Sequence, residues 1–329
     1  MPGAFSQNGD QPHLPRHSKG AQMLDGLVWL VSNIGLAFYN LGYALTHPSS
    51  WLSFLGGFES TEDKQALMRL IYYGGSVEFF FVVFTTFLVI TAVGFWSNRF
   101  LWGATRVLEG FANGVGRLFA WAGLLMVLQQ IIIVFMQRIF AAAEISLGFG
   151  SVLTRDVSWW AEELKLYNAM IVAMCVTYTF VQGGHVRVDL VYSAISFRAK
   201  RVIDMLGSWL FMMPAAIVTW MYGWYFLWRH LVVPKPSASD TNERLLAKAR
   251  ALRWNVETIG FSPNGFDAYF LFKVLLVAYA GLVFIHAWAF FFRSFLEWKE
   301  GEESEGKYLD RDSLGSEEAE LVHAIEEKH

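Results

Sequence analysis

Apolar residues in this chain gather into six runs, at about 27–45, 71–96, 118–137, 164–182, 205–228 and 269–292. Roughly 20 apolar residues suffice to cross the hydrocarbon of a bilayer. Inside hydrocarbon the backbone must satisfy its own hydrogen bonds, so each run predicts a helix. Nothing in the chain shows the short alternating segments of a membrane barrel. The expected fold is an all-α, polytopic membrane helix bundle of about six transmembrane helices.

One further helical stretch, residues 98–117, has a different pattern. Phe100, Leu101, Ala104, Leu108, Phe111 and Val115 recur at helical spacing, while Arg99, Arg106, Glu109, Asn113 and Arg117 largely fill the remaining positions. A helix lying in the membrane interface has this pattern, and so does an amphipathic linker packed on its neighbours. The polar stretch 230–267 is long enough to hold a small extramembrane helix.

Composition agrees with a membrane protein: 54% of residues are hydrophobic, 17% are charged, and mean hydropathy is positive. The net charge of −3 conceals an asymmetry. From residue 300 onward eleven acidic residues face three basic ones, leaving 23 basic against 18 acidic in the rest. A mildly basic core therefore ends in an acidic tail, read as a solvated segment or one that docks on a partner. The first 24 residues are polar and Pro-rich, so the first apolar run reads as a retained span rather than a cleaved signal. With the long 230–253 loop set aside, basic residues near the membrane divide eleven to five in favour of both termini inside.

Charge inside or beside a span is expensive and marks candidates for function. Glu78 lies about two turns into the second run, as a proton or ion site or as a structurally satisfied carboxylate. Gln130 and Gln137 share one face of the third run and suit hydrogen bonding across helices. His286 is the one histidine well inside a run. A transmembrane haem needs a second axial ligand at matching depth, which His47, His185 and His230 do not offer. Cys175 is the only cysteine, so neither a disulfide nor a Cys-ligated cluster can form within one chain. The motifs HExxH, GxSxG and GxxxxGK[ST] are missing.

The stretch WWAEELKLYNAMIVAMCVTYTFVQGGHVRVDLVY, residues 159–192, carries charge at both ends of an apolar run. Glu162 and Glu163 precede the run and His185 and Asp189 follow it. At 1.5 Å per residue the two groups lie about 30 Å apart, so they form no common metal or catalytic site. Anchoring is the better account. Trp159 and Trp160 suit the interfacial belt, Glu162 and Glu163 suit a helix N-terminus, and Arg187 suits the headgroup level.

That stretch resembles the small membrane subunit of tripartite ATP-independent periplasmic (TRAP) transporters. WAEELKLY (160–167) followed by GGHVRVDLV (183–191) is similar to the family's paired motif, and FMQRIF (135–140) resembles the Arg-Tyr motif closing its first helix. Ile139 and Leu166 depart from the usual pattern. The resemblance spans roughly 115–295, as a four-helix core. It implies a division into a polar segment 1–26, an extra helix pair 27–97, the amphipathic helix 98–117, the core 118–295 with its loop 230–267, and the tail 296–329. It also implies no catalytic residue, metal or cofactor on this chain, sodium being carried by a large partner subunit. The implied partners are that large subunit, a periplasmic substrate-binding protein and membrane lipids, with no nucleic acid. The location implied is a bacterial or archaeal inner membrane, and the role is a scaffold in sodium-driven uptake of an organic acid. Arg138, Trp160, Glu162, Glu163, Tyr167, Gly184, His185, Arg187 and Asp189 would anchor the subunit or meet its partner. The residues themselves leave two other readings open: the membrane anchor of an oxidoreductase, or a stand-alone six-helix transporter.

Overall fold

The computed structural model describes residues 19–58, 60–148, 153–182, 195–233 and 265–310, together with 241, 244, 251 and 252. Gly184, His185, Arg187 and Asp189 lie outside the described residues. Helix α1 spans Lys19–Thr46, α2 Thr61–Gly74, α3 Val77–Trp96 and α4 Asn98–Val134. After a hairpin of β1 (Glu144–Leu147) and β2 (Leu153–Asp156) come α5 (Val157–Met174) and α6 (Val176–Val181). Helices α7 (Phe197–Gly207), α8 (Met213–Leu231) and α9 (Phe270–Glu300) complete the bundle.

Among the described residues, five continuous helical segments are long and apolar enough to cross a membrane: Met23–Thr46, Val77–Trp96, Asn98–Ile139, Phe197–Leu231 and Phe270–Glu300. The bundle is the expected all-α membrane architecture, with three departures in how its segments divide.

The second run divides at Gly74–Ser76. Helix α2 is a separate amphipathic element that opens with a capping box, Ser60 accepting from the Asp63 amide while Asp63 accepts from the Ser60 amide. Ser76 then caps α3, accepting from the Phe79 amide at 3.1 Å. Glu78 therefore lies in the first turn of its helix rather than two turns deep, where its charge complements the helix dipole.

The stretch 98–117 is no separate in-plane helix. It runs without a break into the following span, and one turn of π-helix, Phe135–Ile139, closes the segment. At 1.5 Å per residue the 42 residues of Asn98–Ile139 measure about 63 Å, twice the hydrocarbon thickness. The face it buries is mixed: Leu101, Trp102 and Ala112 are buried together with polar residues. Thr105, Glu109 and Asn113, spaced four apart, are buried, while Phe100 and Phe111 are exposed. The polar positions of that face pack against α9 and the C-terminal segment, through Glu109 on Arg293 and Asn113 on Asp310.

The fourth run, 164–182, is two helices bent at Cys175, whose thiol donates to the Gly116 carbonyl at 3.3 Å. Its start moves back to Val157, where Asp156 caps the first turn by accepting from Ser158. Glu162, Glu163 and Lys165 occupy its first half, so it falls short of a continuous apolar span.

Helix α9 is the axis of the bundle. Trp288, Phe292 and Leu296 pack with Leu101, Trp102 and Met213 at one end. Leu275 and Leu282 pack with Leu166 and Met174 on another side. Helix α2 docks through Leu67 and Met68 onto Leu227, Trp228 and Leu231 at the far end of α8. By contrast α1 touches the bundle along α3, through Trp29 against Phe81 and Asn40 against Glu78, and most of its surface is exposed.

Candidate functional site

Two polar constellations lie at opposite ends of the bundle, and each ties distant stretches of chain together.

The first is built on the WAEEL stretch of α5. The cap at Asp156 fixes where α5 begins, which sends Trp160 inward and turns Glu162 and Glu163 toward neighbouring elements. Glu162 Oε2 accepts the Phe266 amide at 2.9 Å, just before α9 starts. A Cβ at Gly265 would overlap that carboxylate, so a side chain there would force Glu162 to move off the Phe266 amide. Trp159 Nε1 donates to Asp267 at 3.2 Å, and the Arg155 guanidinium lies over the Trp159 ring. From the other side Gln129 Nε2 donates to the Trp160 carbonyl at 3.0 Å and to Glu163 Oε2 at 3.1 Å. Trp160 is buried and Tyr167 is half-buried one turn beyond Glu163. These residues therefore lock α4, α5 and the entry to α9. Glu162 and Glu163 are braces between segments; the helix cap is Asp156.

Gln129 was not singled out from the sequence; Gln130 and Gln137 were. Both of those are exposed, as is Arg138 in the π turn, so none of the three packs inside this chain. The burial of Ala122 and Ile133 on α4 identifies the inward face, and Gln129, half-buried, turns partly toward it.

At the opposite end three helices overrun the hydrocarbon and meet around buried charge. Arg293 donates to both carboxylate oxygens of Glu109, each at 2.6 Å, and its Nη1 lies 3.4 Å from Glu297 and 3.1 Å from the Lys307 carbonyl. Arg201 on α7 places Nε 2.8 Å from Glu297 and pairs with Asp204 at 3.3 Å and Glu305 at 2.7 Å. The side chains of Arg201, Arg293, Glu109 and Glu297 are each under 10% exposed. Every charge faces an opposite one, so the cluster is a clamp between helices, with Arg201, Arg293, Glu109 and Glu297 closed off from solvent.

Residues 301–310 close over this end. Glu300 accepts from Trp102 Nε1 at 3.0 Å and from Asn98 at 3.1 Å. Tyr308 packs edge-on against Trp102, with the Arg106 guanidinium 5.1 Å from the Tyr308 ring. Asp310 accepts from both terminal nitrogens of Arg117 and from Asn113, which hold its carboxyl below the usual aspartate range. Gln182, just before the GGHVRVDLV stretch, donates to the Asp310 carbonyl at 3.0 Å. The first turns of the acidic tail are thus part of the packed protein.

The remaining intramembrane candidates stay separate. Glu78 accepts from Asn40 Nδ2 at 2.5 Å and joins α1 to α3. His286 is buried on α9, stacked on Phe180 at 5.4 Å and near Phe290 at 6.3 Å. Among the described residues, no three His, Cys, Asp or Glu side chains come together to hold a metal.

Comparison with known proteins returned one family. Residues 144–234 match the model of the tripartite ATP-independent periplasmic transporters, DctQ component. No curated protein and no solved structure gives a significant match. The matched segment runs from the β1–β2 hairpin to just past α8 and contains both halves of the paired motif, 160–167 and 183–191. A transporter component with apolar spanning helices is a multi-pass inner-membrane protein, and its family is not one of enzymes. Over residues 144–234 this chain is similar to the DctQ component, the small membrane component, of tripartite ATP-independent periplasmic transporters.

Proposed function

We propose that this subunit is a static scaffold for a large elevator-type membrane subunit that couples sodium entry to uptake of an organic acid delivered by a periplasmic binding protein. The observation that carries the reading is the engagement of Glu162 and Glu163 by the Phe266 amide and Gln129. The strongest acidic signature of the chain serves internal bracing and is not presented to substrate or sodium. The buried clamp at the other end fixes α4, α7 and α9 in one arrangement, as a fixed wall against a moving partner requires. With the α5–α6 pair counted as a sixth crossing, we place both termini on the cytoplasmic side, together with Arg117, Arg198 and Arg201. Exposed apolar side chains along α4, among them Leu124, Leu128 and Ile131, supply a lateral surface for the partner or for lipid.

Purification of the tagged chain from its native membrane in mild detergent tests this reading. A large polytopic partner is expected in stoichiometric amount. Proteoliposomes holding both subunits and the binding protein should then take up an organic acid only under an inward sodium gradient. Uptake by this chain alone, or a haem-containing partner, would overturn the proposal. Replacing Arg187 or Asp189 is expected to lower the yield of assembled complex while leaving substrate affinity unchanged.

A further inference from the structure

Between α3 and the α8–α9 pair lies a cavity of about 290 Å³. Its wall is formed by Phe80 and Val83 of α3, Ile217 and Trp220 of α8, and Gly281 and Ile285 of α9. The elbow Gly74–Ser76 stands at one end, where Trp220 Nε1 donates to the Gly74 carbonyl at 2.7 Å. At the other end the gap is closed by rings: Phe87 stacks on Trp288 at 5.1 Å and meets Phe284 edge-on at 5.7 Å. The cavity therefore occupies the half of the bilayer nearer the elbow, beside a span of 20 residues.

We propose that this cavity is a binding site for one acyl chain of a membrane phospholipid, with its headgroup at the elbow. Chemistry and size select that occupant. Water needs two to four polar partners to settle in a cavity, and this wall is apolar almost throughout. A helix of a partner protein is about 10 Å across, so about 290 Å³ would admit less than one turn of it. A flexible hydrocarbon chain fits a narrow apolar slot and replaces the dispersion contacts that the facing walls would otherwise lack. The lipid would be a structural part of the joint between α3 and the matched domain. Helix α3 lies outside residues 144–234, so this role belongs to the N-terminal helices and not to the family match.

The test uses the full chain, reconstituted in phosphatidylcholine vesicles containing a phosphatidylcholine with a diazirine midway along one acyl chain. After illumination, residue-level mass spectrometry should place label on Val83, Ile217 or Ile285. Label confined to outward residues such as Leu124 and Ile131 would overturn the proposal. In native mass spectrometry of the detergent-washed protein, one phospholipid should remain bound to the wild type and be lost from both Val83→Trp and Ile217→Trp. Retention unchanged in two correctly folded filling variants, or no retained lipid in the wild type, would also overturn it. Protection of the three positions only when the large subunit is present would assign the slot to that partner instead. None of these readouts depends on transport, so they leave the scaffold reading untouched.

Discussion

Arg293 and Glu109, 184 positions apart in sequence, face each other through two hydrogen bonds of 2.6 Å inside a site nearly closed to solvent. Removing one member of such a pair strands the other without compensation, which costs about 3–5 kcal/mol in proteins generally. Glu109→Leu or Arg293→Met should therefore lower the thermal midpoint of the detergent-solubilised protein sharply. The double variant should recover much of the loss, since neither charge remains unpaired. A double-mutant cycle on thermal denaturation reads this coupling, and strictly additive losses would refute it.

The two glutamines at 129 and 130 allow a contrast within one dipeptide. Gln129 bridges the Trp160 carbonyl and the Glu163 carboxylate, whereas Gln130 faces outward. Gln129→Leu should cost about 1–3 kcal/mol, the range for leaving a partly buried acceptor unsatisfied. Gln130→Leu should leave the stability of the isolated subunit within about 0.5 kcal/mol, as for ordinary surface substitutions. Chemical denaturation in mixed micelles separates the two, and equal losses would remove Gln129 from the brace.

Gly265 offers a steric test of the same joint. A methyl group there would meet the Glu162 carboxylate before it met anything else. Gly265→Ala should loosen the entry to α9 and speed proteolysis between residues 260 and 268. Combining it with Glu162→Ala removes the obstruction, so the double variant should tolerate the alanine better than the single one does. Proteolysis that is faster in the double than in the single variant would show that the contact is not the constraint.

How much of this was legible in the chain differs from element to element. Hydropathy located the five long apolar helices among the described residues, because length and apolar content are local properties, but it also read 164–182 as a sixth continuous span. The breaks were harder. Gly74-Gly75-Ser76 could sit inside a helix, and it becomes an elbow because Trp220 and Trp224 donate to the carbonyls of Gly74 and Ile71. The amphipathic stretch 98–117 was read by its apolar residues, while the structure buries Thr105, Glu109 and Asn113. Their spacing of four was visible, but its meaning depends on Arg293, which arrives 184 residues later. The paired motif draws attention to Glu162 and Glu163, and the structure shows each bonded to another segment of the chain. Their partners, a backbone amide and Gln129, have no signature in a single sequence. The acidic tail looked solvated by composition, yet its first ten residues pack because Arg117, Arg201 and Arg293 await them.

The C-terminal strap should respond to acid through Asp310. Its carboxyl is held below the usual range, first by Arg117 and then by Asn113, so the folded state favours the ionised form. A depressed value means the contribution is fully present above the unfolded aspartate value, about 3.9, and disappears as pH falls through the lower folded value. A spin label on Glu303→Cys in a Cys175→Ser background would report the strap, since Glu303 is exposed and the native cysteine is then removed. Its mobility should stay constant from pH 8 to about 5 and rise only in the acid limb below about 4. Asp310→Asn should raise mobility at neutral pH and flatten the part of the acid limb that belongs to Asp310, leaving whatever Glu300 and Glu305 contribute. The half-exposed Arg117–Asp310 pair is screened by solvent, so 1 M salt should mimic part of the Asn substitution. A strap that loosens near pH 6–7, or one indifferent to Asp310→Asn, would show that the buried pairs of Arg201 and Arg293 hold it without help from the pair at Arg117.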